Sequence, residues 1–174
     1  KLREGMIFLS AGQSLKGFQR ASSIPSATWS SGGALNTLRY RMSTSDTGGS
    51  SSSSLAFGGA SPGLSPATRA ETEQYNGTSW TELNDLNEAG YAAAGFGSAT
   101  SAIMAGGGGG TRANDEVESW NGSSWTEVAE MNTGKSQVTG AGASGTAGIV
   151  FAGRVGPGDT VNTETWNGSS WTEV

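Results

Sequence analysis

The sequence predicts an all-β protein built from repeated four-stranded antiparallel units, and three observations support this. One phrase, consisting of an aromatic residue, Asn-Gly, two hydroxyl residues and Trp, occurs at 75–80, 120–125 and 166–171. The closing tryptophans of successive phrases are 45 and then 46 residues apart. The apolar runs between the phrases are too short for helices and end in glycine. A fixed period of this length indicates a repeat architecture.

Composition and charge exclude several classes of protein. The chain has 174 residues, which suffices for one ordinary domain, and its net charge is −5. An acidic chain is not expected to bind nucleic acid or an anionic membrane surface, and no apolar run is long enough to span a bilayer. The absence of Cys and His removes thiolate chemistry and the commonest metal ligand and general base. Six Trp at regular spacing argue against disorder, despite 29 Gly.

Each unit repeats the same order of segments, and each segment predicts one strand. A small-residue segment comes first, an apolar run second, and an alternating stretch ending in the aromatic residue third. The fourth strand starts near Trp, after an Asn-Gly turn that tolerates positive φ. The first strands are predicted within 40–46, 91–98 and 137–144, the second within 55–59, 103–107 and 149–153, and the third within 71–75, 116–120 and 162–166.

The same patterns predict the domain organisation. Residues 1–21 form an N-terminal hairpin or adaptor, because apolar segments flank turn residues at 10–13. Residues 22–28, which include Pro25, form a linker. The repeats occupy 29–174, and they divide into 29–83 with a leading strand at Trp29, 84–128 and 129–174.

The spacing of glycine and aromatic residues resembles the Kelch repeat. An aromatic residue follows Gly59 by 16 positions and Gly107 and Gly153 by 13, and Trp comes five positions later. The amino-acid sequence at 29–37, 55–59 and 75–82 is more specifically similar to Kelch-like repeats of bacteriophage fibre and other virion proteins, notably those of marine phages. The segment 4–18 is similar to a short hairpin module that precedes such domains. The sequence departs from the pattern at Ala152, where a second Gly is usual, at Gly90, which replaces the Arg present as Arg39, and in a Ser-rich insertion at 50–54.

The resemblance implies a Kelch-like β-propeller and a non-enzymatic virion component, such as a fibre, spike or decoration protein. Its partners would be other virion proteins, copies of itself, and a host-surface glycan or protein. Its location would be the virion. The alternatives are a protein-interaction propeller of a secreted or cell-surface bacterial protein, and an enzyme whose catalytic residues lie outside this segment.

The number of repeats leaves two arrangements open. Propellers contain roughly 4–8 blades, whereas this sequence supplies three units and one leading strand. Lys1 is not an initiator residue, and Val174 falls inside a repeat phrase. We therefore expect a longer chain in which the leading strand completes the last blade. The alternative is that several chains assemble one ring.

Few residues suggest chemistry. Glu71 with Glu73, and Glu116 with Glu118, are carboxylate pairs on one face of a strand, and their repetition predicts a solvated outer face, not a catalytic pair. Asp115 could contribute to a calcium site, as could Asp159, but we expect no bound metal. The run 140–145 fits the dinucleotide-binding pattern G-x-G-x-x-G, but no helix is predicted after it, so no cofactor is expected.

The loops before the third strands differ most among the units, at 60–68, 108–114 and 154–160. Variable loops on a constant scaffold are where binding usually resides. The arginines in or beside these loops are open to two interpretations, ligand contact or solvated spacer: Arg69, Arg112 and Arg154. The three Asn-Gly turns also match the glycosylation sequon, and turn formation explains them: Asn76, Asn121 and Asn167. No specific binding residue is assigned.

Overall fold

The computed structural model describes residues 7–9, 15–17, 31–46, 52–63, 68–110 and 112–174. In these ranges all regular structure is β-strand, so the predicted all-β class is confirmed. The chain forms two compact parts, an N-terminal part, Lys1–Ser31, and a C-terminal part, Gly32–Val174.

The N-terminal part contains the predicted N-terminal hairpin. Strand β1 (Ile7–Leu9) pairs antiparallel with β2 (Leu15–Gly17), with Phe8 opposite Lys16. The predicted linker at 22–28 lies outside the described residues, and the role of an adaptor stays a prediction.

The C-terminal part contains three four-stranded antiparallel sheets, and in each sheet the strands follow one another in chain order. Sheet 1 consists of β3 (Ser43–Asp46), β4 (Ser54–Phe57), β5 (Thr72–Tyr75) and β6 (Trp80–Glu82). Sheet 2 consists of β7 (Ala94–Ser98), β8 (Ser101–Ala105), β9 (Val117–Trp120) and β10 (Trp125–Glu127). Sheet 3 consists of β11 (Thr139–Ser144), β12 (Ala147–Phe151), β15 (Thr163–Trp166) and β16 (Trp171–Glu173). The loop between β12 and β15 adds a small hairpin of β13 (Arg154–Val155) and β14 (Gly158–Asp159).

The repeated phrase forms the hairpin between the third and fourth strands. Tyr75 lies opposite Trp80 in the register of sheet 1, and the corresponding aromatic residues of the other sheets face each other in the same way. In sheet 1, Oδ1 of Asn76 accepts hydrogen bonds from the amides of Thr78 and Ser79, both at 2.9 Å. Gly77 has φ 96°, which favours glycine. The turn is four residues long, and it uses the Asn side chain as an acceptor while glycine supplies the positive φ.

Tryptophans of one sheet pack on the preceding sheet. The ring of Trp125 contacts Phe57 at a centroid distance of 4.8 Å, and its Nε1 donates to Thr72 Oγ1 at 2.9 Å. Trp171 of sheet 3 similarly meets Phe96 of sheet 2 at 6.5 Å. Two apolar cores result, one between each pair of neighbouring sheets. Face-to-face packing of successive four-stranded sheets is compatible with neighbouring blades of a propeller.

The first strands of neighbouring sheets approach closely because they carry small residues. A Cβ atom at Gly95 would lie 2.4 Å from the carbonyl oxygen of Thr44 on the preceding sheet. At Gly142 it would lie 2.7 Å from the ring of Phe96. The run 140–145, which fits the dinucleotide pattern, therefore belongs mainly to β11 and serves this packing.

Main-chain hydrogen bonds join the units just before their first strands. Arg41, Ala92 and Gln137 share a left-handed backbone, with φ of 54°, 56° and 53°. The amide of Ala92 donates to the carbonyl of Arg41 at 3.0 Å, and the amide of Gln137 donates to the carbonyl of Ala92 at 2.7 Å. The same link therefore recurs between units whatever side chain occupies the position.

Candidate functional site

Three glutamates at matching positions of the third strands are fully buried, which corrects the prediction of a solvated face. Glu73, Glu118 and Glu164 are each 0% exposed. Alternation along a strand indicates two faces, but here neighbouring sheets and crossing segments cover both. A buried carboxylate needs compensating donors, and each of these glutamates has them.

Glu118 shows the full set of contacts. Its Oε2 accepts hydrogen bonds from the amide of Asn87 at 2.8 Å and from the Asn87 side chain at 3.0 Å. Its Oε1 accepts from the amide of Glu88 at 3.2 Å and from Arg112 Nη1 at 2.7 Å. Asn87 Nδ2 also donates to the carbonyl of Trp125 at 3.2 Å, so the group ties the third and fourth strands to the segment that precedes the first strand.

The other two units repeat this arrangement. Glu73 accepts from the amide and side chain of Asn36, and Glu164 accepts from the amide and side chain of Asn132. The cation is Arg39 in the first unit, 3.0 Å from Glu73, and Lys135 in the third, 3.1 Å from Glu164. All the side chains in these two ion pairs are at most 1% exposed.

The middle unit takes its cation from a different place in the chain. Arg39 and Lys135 each follow their asparagine by three residues, whereas the residue three after Asn87 is Gly90. Arg112 reaches the site from the loop before the third strand, and its Cδ would lie 2.4 Å from a Cβ at Gly90. The departure at Gly90 is therefore compensated, because the glycine leaves room for a cation supplied from elsewhere.

Arg112 is consequently a structural residue. It is 4% exposed, and besides Glu118 its guanidinium donates to the carbonyls of Gly106 at 3.0 Å and Glu116 at 3.1 Å. Both interpretations of Arg112, as a ligand contact and as a solvated spacer, are therefore wrong, because the side chain is buried and paired with Glu118. The three buried glutamates are shielded from water and accept hydrogen bonds from internal donors, so in this structure they hold the segments of each unit together.

The other glutamates of the predicted pairs are partly exposed. Arg69 contacts Glu71 at 3.0 Å, with side chains 33% and 19% exposed, and also donates to Ser61. Glu116 is half-buried, and its Oε2 has no hydrogen-bond partner among the described residues. In each predicted pair, one glutamate is therefore buried and structural, and the other glutamate lies nearer the surface.

The third variable loop remains accessible. Arg154 and Asp159 lie opposite each other in the β13–β14 hairpin, with Nε and Oδ1 3.5 Å apart and side chains 44% and 90% exposed. Val155 in the same hairpin is 40% exposed. Among the described residues, no three His, Cys, Asp or Glu side chains are grouped closely enough to hold a metal ion, and this applies to Asp115 and Asp159.

A groove between the outer edges of sheets 1 and 2 was not predicted from the sequence. Its volume is about 480 Å³, and it is lined by Glu82, Leu83, Asn84, Trp120, Gly122 and Ser123. The groove presents carboxylate, amide and hydroxyl groups of the kind that hydrogen-bond sugar hydroxyls. Trp120 is only 1% exposed, so its ring offers no stacking surface. In the sequence, this groove is indicated only by the recurrence of the Asn-Gly phrase in each unit. The fold then places the phrase of one unit beside the end of the preceding unit.

Comparison with known proteins assigns no family. The sequence matches no protein-family model, and no curated protein is significantly similar to it. In the described part of the chain there is no helix that could cross a bilayer.

Proposed function

We propose that this chain is a non-enzymatic virion component of a bacteriophage, namely a fibre, spike or decoration protein with Kelch-like propeller blades. Its role is structural display, or attachment to a host-surface glycan or protein. The proposal is supported by the glycine and aromatic spacing that resembles Kelch repeats, because those residues fall in successive four-stranded antiparallel sheets.

The observation that carries the non-enzymatic part is the use of the repeated ionisable residues. The glutamate of every unit is fully buried and neutralised by a cation, so it stabilises the scaffold. Exposed polar groups occur in the repeated Asn-Gly turns and also in segments that differ between units, such as the hairpin at Arg154–Asp159. A constant scaffold with variable exposed loops is the arrangement expected of a binding module.

Binding and catalysis can be tested with the 174-residue chain on an array of bacterial surface polysaccharides. We expect retention of one polysaccharide class without release of shortened fragments. Arg154→Ala should weaken retention, whereas Glu130→Gln, an exposed change outside the variable loops, should not. Release of fragments would refute the non-enzymatic proposal. Equal retention of the Arg154→Ala and Glu130→Gln variants would show that the hairpin is not part of the binding surface.

The virion assignment needs a separate test. Antibodies against the chain should label intact phage particles in electron micrographs. Particles without label, together with recovery of the protein from bacterial surfaces or culture medium, would favour the alternative of a bacterial protein-interaction propeller.

A further inference from the structure

The groove between the outer edges of sheets 1 and 2 lies at a junction of two neighbouring units. One wall consists of the end of β6 and the two residues that follow it, at 82–84, and the other consists of the β9–β10 turn, at 122–123. Its volume of about 480 Å³ lies within the range of sites that bind small ligands. Two units of the described chain therefore form a site that is large enough for a sugar residue.

Hydrogen bonds fix both walls of the groove. Asn84 Nδ2 donates to the carbonyl of Ser123 at 2.7 Å and so links the two units. Within the turn, Oδ1 of Asn121 accepts hydrogen bonds from two main-chain amides, both at 2.9 Å. Trp120, which also lines the groove, is buried, and its Nε1 donates to the carbonyl of Ala99 at 3.1 Å. A ligand would meet walls that are already ordered, which lowers the entropy cost of binding.

Three polar groups of the lining are free to bind a ligand. They are the carboxylate of Glu82, the Oδ1 atom of Asn84 and the hydroxyl of Ser123, and all three side chains are exposed. None of these groups takes part in a hydrogen bond or an ion pair with a described residue. The carboxylate and the amide oxygen accept hydrogen bonds, whereas the hydroxyl can donate or accept.

The next junction, between sheets 2 and 3, lacks two of these free groups. Ala129 stands at the position that corresponds to Asn84, so no side-chain amide is present there. Ser169 corresponds to Ser123, but its hydroxyl donates to Oδ1 of Asn167 at 3.0 Å. Packing of neighbouring units therefore does not require the free amide oxygen and hydroxyl, which distinguish the first junction from the second.

The charge of the groove favours one class of sugar. Glu82 is negative, and no cationic side chain lines the groove among the described residues. The ammonium group of an amino sugar would donate a charge-assisted hydrogen bond to this carboxylate, whereas a carboxylated sugar would be repelled by it. The net charge of −5 on the whole chain acts in the same direction at longer range.

We infer that this groove binds a sugar with a free amino group in a host-surface polysaccharide. The inference rests on the proposed attachment function and names the sugar class for one site. The ammonium group pairs with Glu82, while neighbouring hydroxyls of the sugar donate to Asn84 Oδ1 and accept from the Ser123 hydroxyl. Because Trp120 is only 1% exposed, binding depends on these hydrogen bonds and not on ring stacking.

Calorimetric titration of the 174-residue chain with a β-1,4-linked glucosamine trimer tests this inference. The N-acetylated trimer should bind about fivefold more weakly, because acetylation removes the charge of an exposed ion pair and keeps the sugar rings. Glu82→Gln should weaken binding of the glucosamine trimer about fivefold and so abolish the preference. Glu127→Gln is the matched control, since it is the corresponding exposed residue of β10 but is followed by Ala129. It should bind both trimers as the wild type does.

Ser123→Ala tests the hydroxyl separately, because the substitution keeps the main chain of the turn. It should weaken binding of both trimers about threefold and leave the urea midpoint of unfolding unchanged.

The inference would be overturned if the glucosamine trimer did not bind or if both trimers bound equally. It would also be overturned if Glu82→Gln and Ser123→Ala bound as the wild type does, since the sugar would then lie elsewhere. A chain that retains a polysaccharide on the array but binds neither trimer contradicts the inference about the groove alone. A chain that retains no polysaccharide contradicts the proposed attachment to a glycan.

Discussion

Moving the buried cation of the middle unit to position 90 should preserve the protein, although each single change should damage it. In the variant Arg112→Ala, Glu118 loses an ion pair of 2.7 Å in which both side chains are at most 1% exposed. Removing one partner of a buried pair costs about 3–5 kcal/mol, because the other charge stays buried. Gly90→Lys alone should cost a similar amount. Its Cβ would lie 2.4 Å from Arg112 Cδ, and it adds a second cation at a site that holds one carboxylate.

The double variant Gly90→Lys with Arg112→Ala recreates the arrangement of the third unit, where Lys135 follows its asparagine by three residues. Gly90 is not in the left-handed region, so a side chain is compatible with its backbone. We expect the double variant to regain at least about 2 kcal/mol of the free energy of unfolding lost in Arg112→Ala, which is within the coupling seen for contacting residues.

Urea unfolding followed by tryptophan fluorescence measures these differences. Arg69→Ala is the control, because its pair with Glu71 is partly exposed and its loss should cost less than about 1 kcal/mol. The reasoning would be refuted by a double variant no more stable than Arg112→Ala. It would also be refuted by an Arg112→Ala variant that unfolds at the wild-type urea concentration.

Three further changes test the packing and the turns by the same measurement. Trp125→Ala should lower the free energy of unfolding by roughly 3–5 kcal/mol, because the ring contacts Phe57 and is 5% exposed; a wild-type midpoint would contradict this. Ala152→Gly should raise it by about 0.5–1 kcal/mol, since Ala152 has φ 57°, and a loss of stability would show that its methyl group packs favourably. Asn121→Ala should cost about 1 kcal/mol through the lost bonds to the amides of Ser123 and Ser124. Asn121→Asp, which keeps the acceptor, should cost less, and equal losses would reject the turn as the cause.

Much of the fold could be predicted because its signals are local. The phrase at 75–80 contains the two facing aromatic residues and the turn between them, so the hairpin follows from six consecutive residues. The four-stranded sheets likewise follow from short segments in fixed order. The hairpin at 154–159 was not predicted, since it occurs in one unit only and has no counterpart to reveal it.

The environment of the glutamates could not be predicted, because its causes are distant in sequence. The amide of Asn36 that bonds Glu73 lies 37 residues away, and the cover on the other face of the sheet comes from another unit. An alternating pattern looks the same whether its polar residues face water or a buried set of donors. For the same reason the sequence does not indicate that Arg112, in the loop before the third strand, is buried against Glu118.

The position of the cations also bears on how such a chain could change in length. Each buried glutamate is neutralised from within its own unit, by Arg39, Arg112 or Lys135. Duplication or deletion of one whole unit by recombination would therefore carry both charges together and leave no buried carboxylate without a counter-ion. The contacts between units are apolar packing, main-chain hydrogen bonds and uncharged side-chain hydrogen bonds such as that from Trp125 to Thr72, which a newly inserted neighbour of the same kind can supply. Gene-level gain and loss of units is thus compatible with the charge balance of the interior, whichever position in the chain supplies the cation.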